Sequence, residues 1–425
     1  MIDIIKLLKE NERLSAYRVS EKATSSYELF FVHKKLETVR STDTSSTRVT
    51  VYVKHGEFLG DSTFEILQSD DEKSANGKID AAINRAALVF NRPYELPPCG
   101  TLDETLPSNL YDFDEKTLGA EIAKAVFAAD NEENCSLNAV EIFIYKEKTH
   151  VLNSNGVDKT QNNARVMIEA IPTFTDEKLS VELYEDYRFT EFNPQKLTAE
   201  IARKIKEVKD RALATKPQTP LKTNVLLRNS EIYGVLLELL MSLNYSAVYA
   251  HANPFKIGDD IQQNGDGDKL TITMKAMIAG SENSAFFDED GSSLKDVKVI
   301  DGGIVKNYYG TYRFGQYLGV DEPSGNLRLA KLEKGSLKRE ELNKEPYIEC
   351  VSLSGIQLDI FNDYIGGEIR LAYLCDKNTK TPITSITMSA KLSDVLKTVK
   401  LSDTEDVFVG YEGPDLMLLK DVNIL

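Results

Sequence analysis

Few residues in this chain have the types and spacing that chemistry requires. A catalytic or structural zinc ion needs three or four imidazole, thiolate or carboxylate donors that converge. The four histidines, His33, His55, His150 and His251, stand far apart, and none has a second histidine at a ligand spacing. The four cysteines, Cys99, Cys135, Cys350 and Cys375, form no CxxC pair. In a chain of this size they read as free thiols, with Cys350 and Cys375 as small buried hydrophobes, rather than as a disulfide framework. No serine lies in a G-x-S-x-G elbow. The glycine clusters Asp301-Gly302-Gly303 and Tyr364-Ile365-Gly366-Gly367 lack the frames that cradle a nucleotide phosphate. Asn264-Gly265-Asp266-Gly267-Asp268 is spaced like the start of a calcium loop. The position where such a loop needs its bidentate glutamate is Lys275, so it reads as a plain loop. Residue by residue, no catalytic set, no metal ligands and no cofactor are expected.

One stretch is richer. Ala285–Arg328 begins with a turn signal, Asp288-Glu289-Asp290-Gly291, and continues as a strand, Val297 to Ile300. Asp301-Gly302-Gly303 supplies the positive φ angles of a tight hairpin turn into a second strand, Ile304 to Tyr309. A short helix, Thr311 to Leu318, closes at Gly319. The loop Pro323-Ser324-Gly325-Asn326 then brings round Arg328, whose guanidinium can clamp a carboxylate bidentately.

These groups need a scaffold. The chain of 425 residues is long enough for two or three domains, with 41% apolar and 28% charged residues. No apolar run reaches the ~20 residues of a membrane helix. The first residues, charged throughout, do not read as a secretory signal, so a cytoplasmic location is expected. A net charge of −16 and the absence of a basic stripe argue against direct nucleic-acid binding, which draws on Lys and Arg.

Helices are expected over 2–13, 80–90, 115–129, 198–214 and 231–243, the last capped by Ser230. Strands are expected over 27–32, 36–42, 47–54, 57–67, 140–145, 164–173, 179–186 and 224–227, with a break at Ser45-Ser46. Proline-rich breaks near 93–100 and 216–220 divide the chain into blocks 1–95, 110–216 and 221–425. Strands and helices mix without regular βα alternation, which argues an α+β fold with mixed or antiparallel sheets.

In order and spacing, Asp288, Gly291, Asp301-Gly302-Gly303, Tyr308, Gly319, Ser324-Gly325-Asn326 and Arg328 resemble the C-terminal region of the TldD/PmbA family. Glu37-Thr38-Val39-Arg40-Ser41, the turn Asn153-Ser154-Asn155-Gly156 and, more loosely, Gly56, Gly60 and Ser62 extend the resemblance towards the N-terminus. So do Pro382-Ile383, Leu392 and Asp394-Val395-Leu396 near the end, where Ala390-Lys391 replaces the family's Gly-Asn pair. The resemblance implies a TldD/PmbA-like multi-domain architecture and a link to intracellular proteolysis or peptide maturation. In the proteolytic branch, a helix early in the third block carries H-E-x-x-x-H and a cysteine near the C-terminus completes a zinc site. Here the corresponding helix, Ser230 to Tyr245, has no histidine, and Thr404 to Gly413 has no cysteine.

That absence makes the chain similar to the TldE/PmbA branch, a non-catalytic partner or pseudoenzyme. The implied partners are a TldD-like protease subunit or a second copy of the chain as a dimer, with unfolded peptide held as an added strand. Asp288, Gly291, Tyr308, Ser324, Asn326 and Arg328 are the residues the resemblance places near a shared substrate cavity. The helix itself, apolar on most sides, reads as core. A stand-alone peptidase with an unrecognised site and a homo-oligomeric peptide-binding protein without activity stay open. The family's older description, modulation of DNA gyrase, finds no physical support in the acidic charge.

Overall fold

The computed structural model describes residues 2–377 and 379–425. In the first half, α1 (Ile4–Glu10) leads into β1 (Ala16–Val32), β2 (Lys35–His55) and β3 (Phe58–Ile66), followed by α2 (Glu72–Ala86). Then come β4 (Gly100–Thr105), α3 (Glu115–Ala128), β5 (Cys135–Asn153), β6 (Val157–Thr175), β7 (Ser180–Glu182), β8 (Glu185–Phe189) and α4 (Pro194–Leu213). The strands make one sheet in the order β3-β2-β1-β5-β6-β4, with β7 and β8 also paired to β6. Blocks 1–95 and 110–216 of the sequence reading therefore share a single sheet. The proline-rich break between them ends in β4, which runs parallel to β6.

Register decides which face is covered. Val19 faces Val49 and Leu29 faces Ile142 across their strand pairs, so these buried side chains lie on one side of the sheet. All four helices pack on that side. Ile79 and Ile83 of α2 meet Val49 and Val51, and Ile122 of α3 and Ile201 of α4 meet Ile142 and Ile168. Arg18, Val151, Val157 and Lys159 approach the C-terminal half instead.

Three expectations for this half are corrected. Ser45-Ser46 is no break: β2 runs through it, paired to β1 at Ala23 and Lys22. Its hydroxyl-bearing residues suit an exposed strand, where no apolar alternation is needed to mark it. The helix expected at 80–90 starts earlier, where Asp71 accepts the Ser74 N–H at 2.7 Å as an N-cap. Gly60, read as part of a turn, lies inside β3. A Cβ there would collide with the Ala86 carbonyl at the end of α2, so glycine permits this strand and helix to touch.

The second half opens with β9 (Leu221–Arg228), α5 (Asn229–Ser242) and α6 (Tyr245–Tyr249). It continues with β10 (Ile272–Lys275), β11 (Val297–Asp301), β12 (Ile304–Val305), α7 (Tyr312–Tyr317) and β13 (Leu329–Leu332). β14 (Tyr347–Asp359), β15 (Tyr364–Asp376), β16 (Thr379–Ile383), β17 (Ile386–Lys391) and α8 (Leu392–Thr398) follow. The last strands are β18 (Lys400–Leu401), β19 (Glu405–Phe408), β20 (Tyr411–Pro414) and β21 (Leu416–Ile424).

One sheet has the order β12-β11-β10-β13-β20-β19; the other runs β14-β9-β21-β17-β15-β16. β14 also pairs with β15, which closes β14, β9, β21, β17 and β15 into a ring and removes the open edges of those strands. Helix α5 shares one core with both sheets: Ile232, Val235, Leu236 and Leu239 are buried with Ile272, Val299, Ile348 and Leu419. The fold is α+β, with several mixed and antiparallel sheets.

Candidate functional site

Helix α5 has two working faces. Its buried positions, Ile232, Val235, Leu236, Leu239 and Leu240, recur at three- and four-residue spacing and turn inward. Tyr233, Leu237 and Met241 make a second stripe, on which Leu237 is 41% and Met241 54% exposed. The expectation that this helix is core throughout is therefore corrected. The stripe walls a cavity of about 480 Å³, whose other sides come from Met274 on β10, Tyr309, Phe314 on α7, and Asn326 to Arg328. Ser230 does not cap the helix. Arg228 occupies the cap position, without a side-chain cap bond.

Of the six residues the sequence reading placed near a substrate, Asn326 and Arg328 line this cavity. Arg328 is exposed at its mouth and ion-paired with Glu289. Asp288 and Gly291 lie in a joint between the two halves, and Ser324 is buried within the C-terminal half. The Asp288 carboxylate accepts the N–H groups of Asp290 and Ser292, each at 3.0 Å, and of Asn326 at 2.9 Å. Burial pushes its carboxyl up despite these donors.

Gly291 has φ +82° and packs where a Cβ would meet Val157 and Val151 of the first sheet. Its carbonyl accepts Lys159 Nζ at 2.8 Å, and the same ammonium reaches Ser293 Oγ at 2.8 Å. Arg18 of β1 pairs with Asp290. Ser324 is buried; its Oγ accepts the Gly310 N–H at 3.1 Å. Tyr308 is in neither place. It follows the short β12, not within a strand as expected, and its hydroxyl donates to the Phe255 carbonyl at 2.8 Å.

The first turn of α5 also holds an unusual acid. Burial pushes the Glu231 carboxyl up to about 7, against the opposing pull of Lys204, the Ser230 hydroxyl, the Leu353 backbone and Arg228. A folded pKa above the ~4.3 of an unfolded glutamate means the folded chain holds this proton more tightly. The resulting stability is complete below ~4.3 and is lost as pH rises to about 7. Thermal unfolding followed by circular dichroism should show the native chain losing stability between pH 5 and pH 8 relative to Glu231→Gln. Parallel pH profiles for the two proteins would contradict the assignment.

Residues 220–425 match the family model of the PmbA/TldA metallopeptidase C-terminal domain. A search of curated protein sequences finds no match. Along its whole length the chain is similar in structure to TldE from Thermococcus kodakarensis, with a TM-score of 0.79 at 14% identity over 99% of each chain. A proposed modulator of a DNA gyrase from Thermotoga maritima gives a TM-score of 0.77 at 15% identity, over 99% of this chain and 98% of that one. Another proposed modulator of DNA gyrase, from Bacteroides thetaiotaomicron, gives 0.78 at 15% identity over 99% and 96%. Identities this low establish the fold. Residues 220–425 therefore match the C-terminal domain of the PmbA/TldD family, and the whole chain shares the fold of these structures.

The family description implies a metal, and the residues here do not fit one. The cavity beside α5 offers tyrosine, asparagine, serine and methionine side chains, with no histidine, cysteine or carboxylate in its lining. Among the described residues, no three His, Cys, Asp or Glu side chains come together as a group able to hold an ion.

Proposed function

We propose that this protein is a non-catalytic, peptide-holding subunit of the TldE/PmbA type, acting with a metal-bearing TldD-type subunit in intracellular proteolysis or peptide maturation. The observation that carries this reading is the cavity beside α5. It is large enough for a small ligand, within the ~300–1,000 Å³ usual for such sites, yet its lining has no donor set for zinc. A zinc peptidase depends on the ion to lower the pKa of its water and polarise the scissile carbonyl. A cavity with aromatic, amide and guanidinium groups retains the means to bind peptide without that chemistry.

Elemental analysis of the purified chain, with hydrolysis and binding of fluorescent unfolded peptides on the same sample, tests the reading. The expected result is no stoichiometric zinc, no hydrolysis by the chain alone, measurable peptide binding, and complex formation when a TldD-type subunit is added. Zinc near one per chain, with hydrolysis abolished by a chelator, would overturn it.

A further inference from the structure

The charge of the cavity is at odds with that of the protein. The chain carries 67 acidic residues against 51 basic ones, yet no carboxylate lines the cavity, and Arg328 is the one charged side chain in its lining. Such a site favours an anionic group at its mouth. Below the guanidinium the walls are apolar: Leu237, Leu240, Met241, Met274 and Phe314. Among the described residues, the side-chain amides of Asn283 and Asn326 have no protein hydrogen-bond partner; only their backbone N–H groups are engaged. An amide offers both a donor and an acceptor, the pair a peptide backbone requires.

Resting on the peptide-holding reading, we propose that the cavity recognises the C-terminal end of a peptide whose last residue is large and apolar. The α-carboxylate takes Arg328, the terminal side chain enters between Met241 and Phe314, and Asn283 and Asn326 bond the last peptide unit. A terminal residue alone presents carboxylate, apolar side chain and amide within one residue's length. Glu289 now neutralises Arg328 from outside the cavity, with both side chains mostly exposed. Exposed pairs of this kind contribute little, so an incoming carboxylate can replace it.

Fluorescence anisotropy with the full chain tests this, using labelled peptides that end in Phe or Leu as free acids and the same peptides with C-terminal amides. Amidation should weaken binding roughly tenfold, the loss of one charge-assisted contact. In Arg328→Ala, acid and amide should bind alike, and Glu289→Gln should tighten the acid only. Replacing the terminal Phe by Gly should weaken binding to both proteins. If acid and amide bind the native chain equally, or an amidated peptide with an internal Asp binds as well as the acid, recognition of the terminus is wrong while peptide holding stands. If none of these peptides binds, both readings fall.

Discussion

Replacing Arg228 with methionine is expected to lower the stability of the chain by about 3–5 kcal/mol, the usual consequence of stranding a buried charge. Arg228 ends β9 and reaches both halves of the molecule. It donates to Glu207 on α4, and its Nε and Nη2 meet Glu349 Oε1 of β14 at 3.0 and 2.8 Å. Lys380 holds the other oxygen of Glu349 at 2.8 Å, and Lys204 bridges Glu207 and Glu185 at 3.3 and 3.0 Å. Burial alone would push the guanidinium down; Glu207 and Glu349 outweigh it and hold it above its ordinary range.

Glu207 is 2% exposed, so without Arg228 it keeps only the Lys204 contact and no route to water. Adding Glu207→Gln to Arg228→Met should recover part of the loss, because the stranded charge is then removed with its partner. The chain has no tryptophan, so circular dichroism is the suitable probe of unfolding. A midpoint for Arg228→Met equal to that of the native chain would show that this network does not hold α4 to the C-terminal sheet.

Local backbone demands were legible in the sequence; tertiary assignments were less so. Gly302 and Gly303 have φ of +59° and +86° in the β11–β12 turn, and Gly319 has φ +73° just beyond α7. Residues that solve such angles declare themselves. The length of β2 did not, because Ser45 and Ser46 signal a turn locally while pairing to β1 overrides them. Asp71 as a cap was missed because the first turns of α2 are polar, and apolar periodicity begins only near Ile79.

The site divides in the same way. Arg328 stood out by its chemistry, and it lines the cavity. Tyr233, Leu237 and Met241 were absorbed into an apparently uniform apolar helix. Their spacing held a signal: subtracting the buried stripe at Ile232, Val235, Leu236, Leu239 and Leu240 leaves a separate four-residue repeat. No sequence pattern could have shown that the turn held by Asp288 contacts the other half through Asp290 and Gly291, since their partners Arg18 and Lys159 are distant in the chain.

That contact makes Asp288→Ala the sharpest test of how the ordered motif works. The carboxylate satisfies three backbone N–H groups, two in its own turn and one, Asn326, in the loop that carries Arg328. Alanine leaves these donors unpaired at ~1–3 kcal/mol each, and because water can reach part of the site the sum should fall near 2–4 kcal/mol. The Asp290–Gly291 corner should then loosen from Arg18 and Lys159, exposing the 286–293 segment to protease before the core strands open. Asp288→Asn keeps one acceptor oxygen but turns an amide N–H towards a donor, so an intermediate loss is expected.

Thermal unfolding and limited proteolysis read these effects, and peptide affinity measured well below the midpoint separates two roles. If Asp288 acts as a joint, affinity falls only as far as the Asn326–Arg328 loop is displaced, and fragments cut near 286–293 appear in step with that fall. If the native midpoint and protease pattern persist while affinity is lost, Asp288 meets the peptide itself. The motif would then be a binding element that happens to lie at a domain boundary.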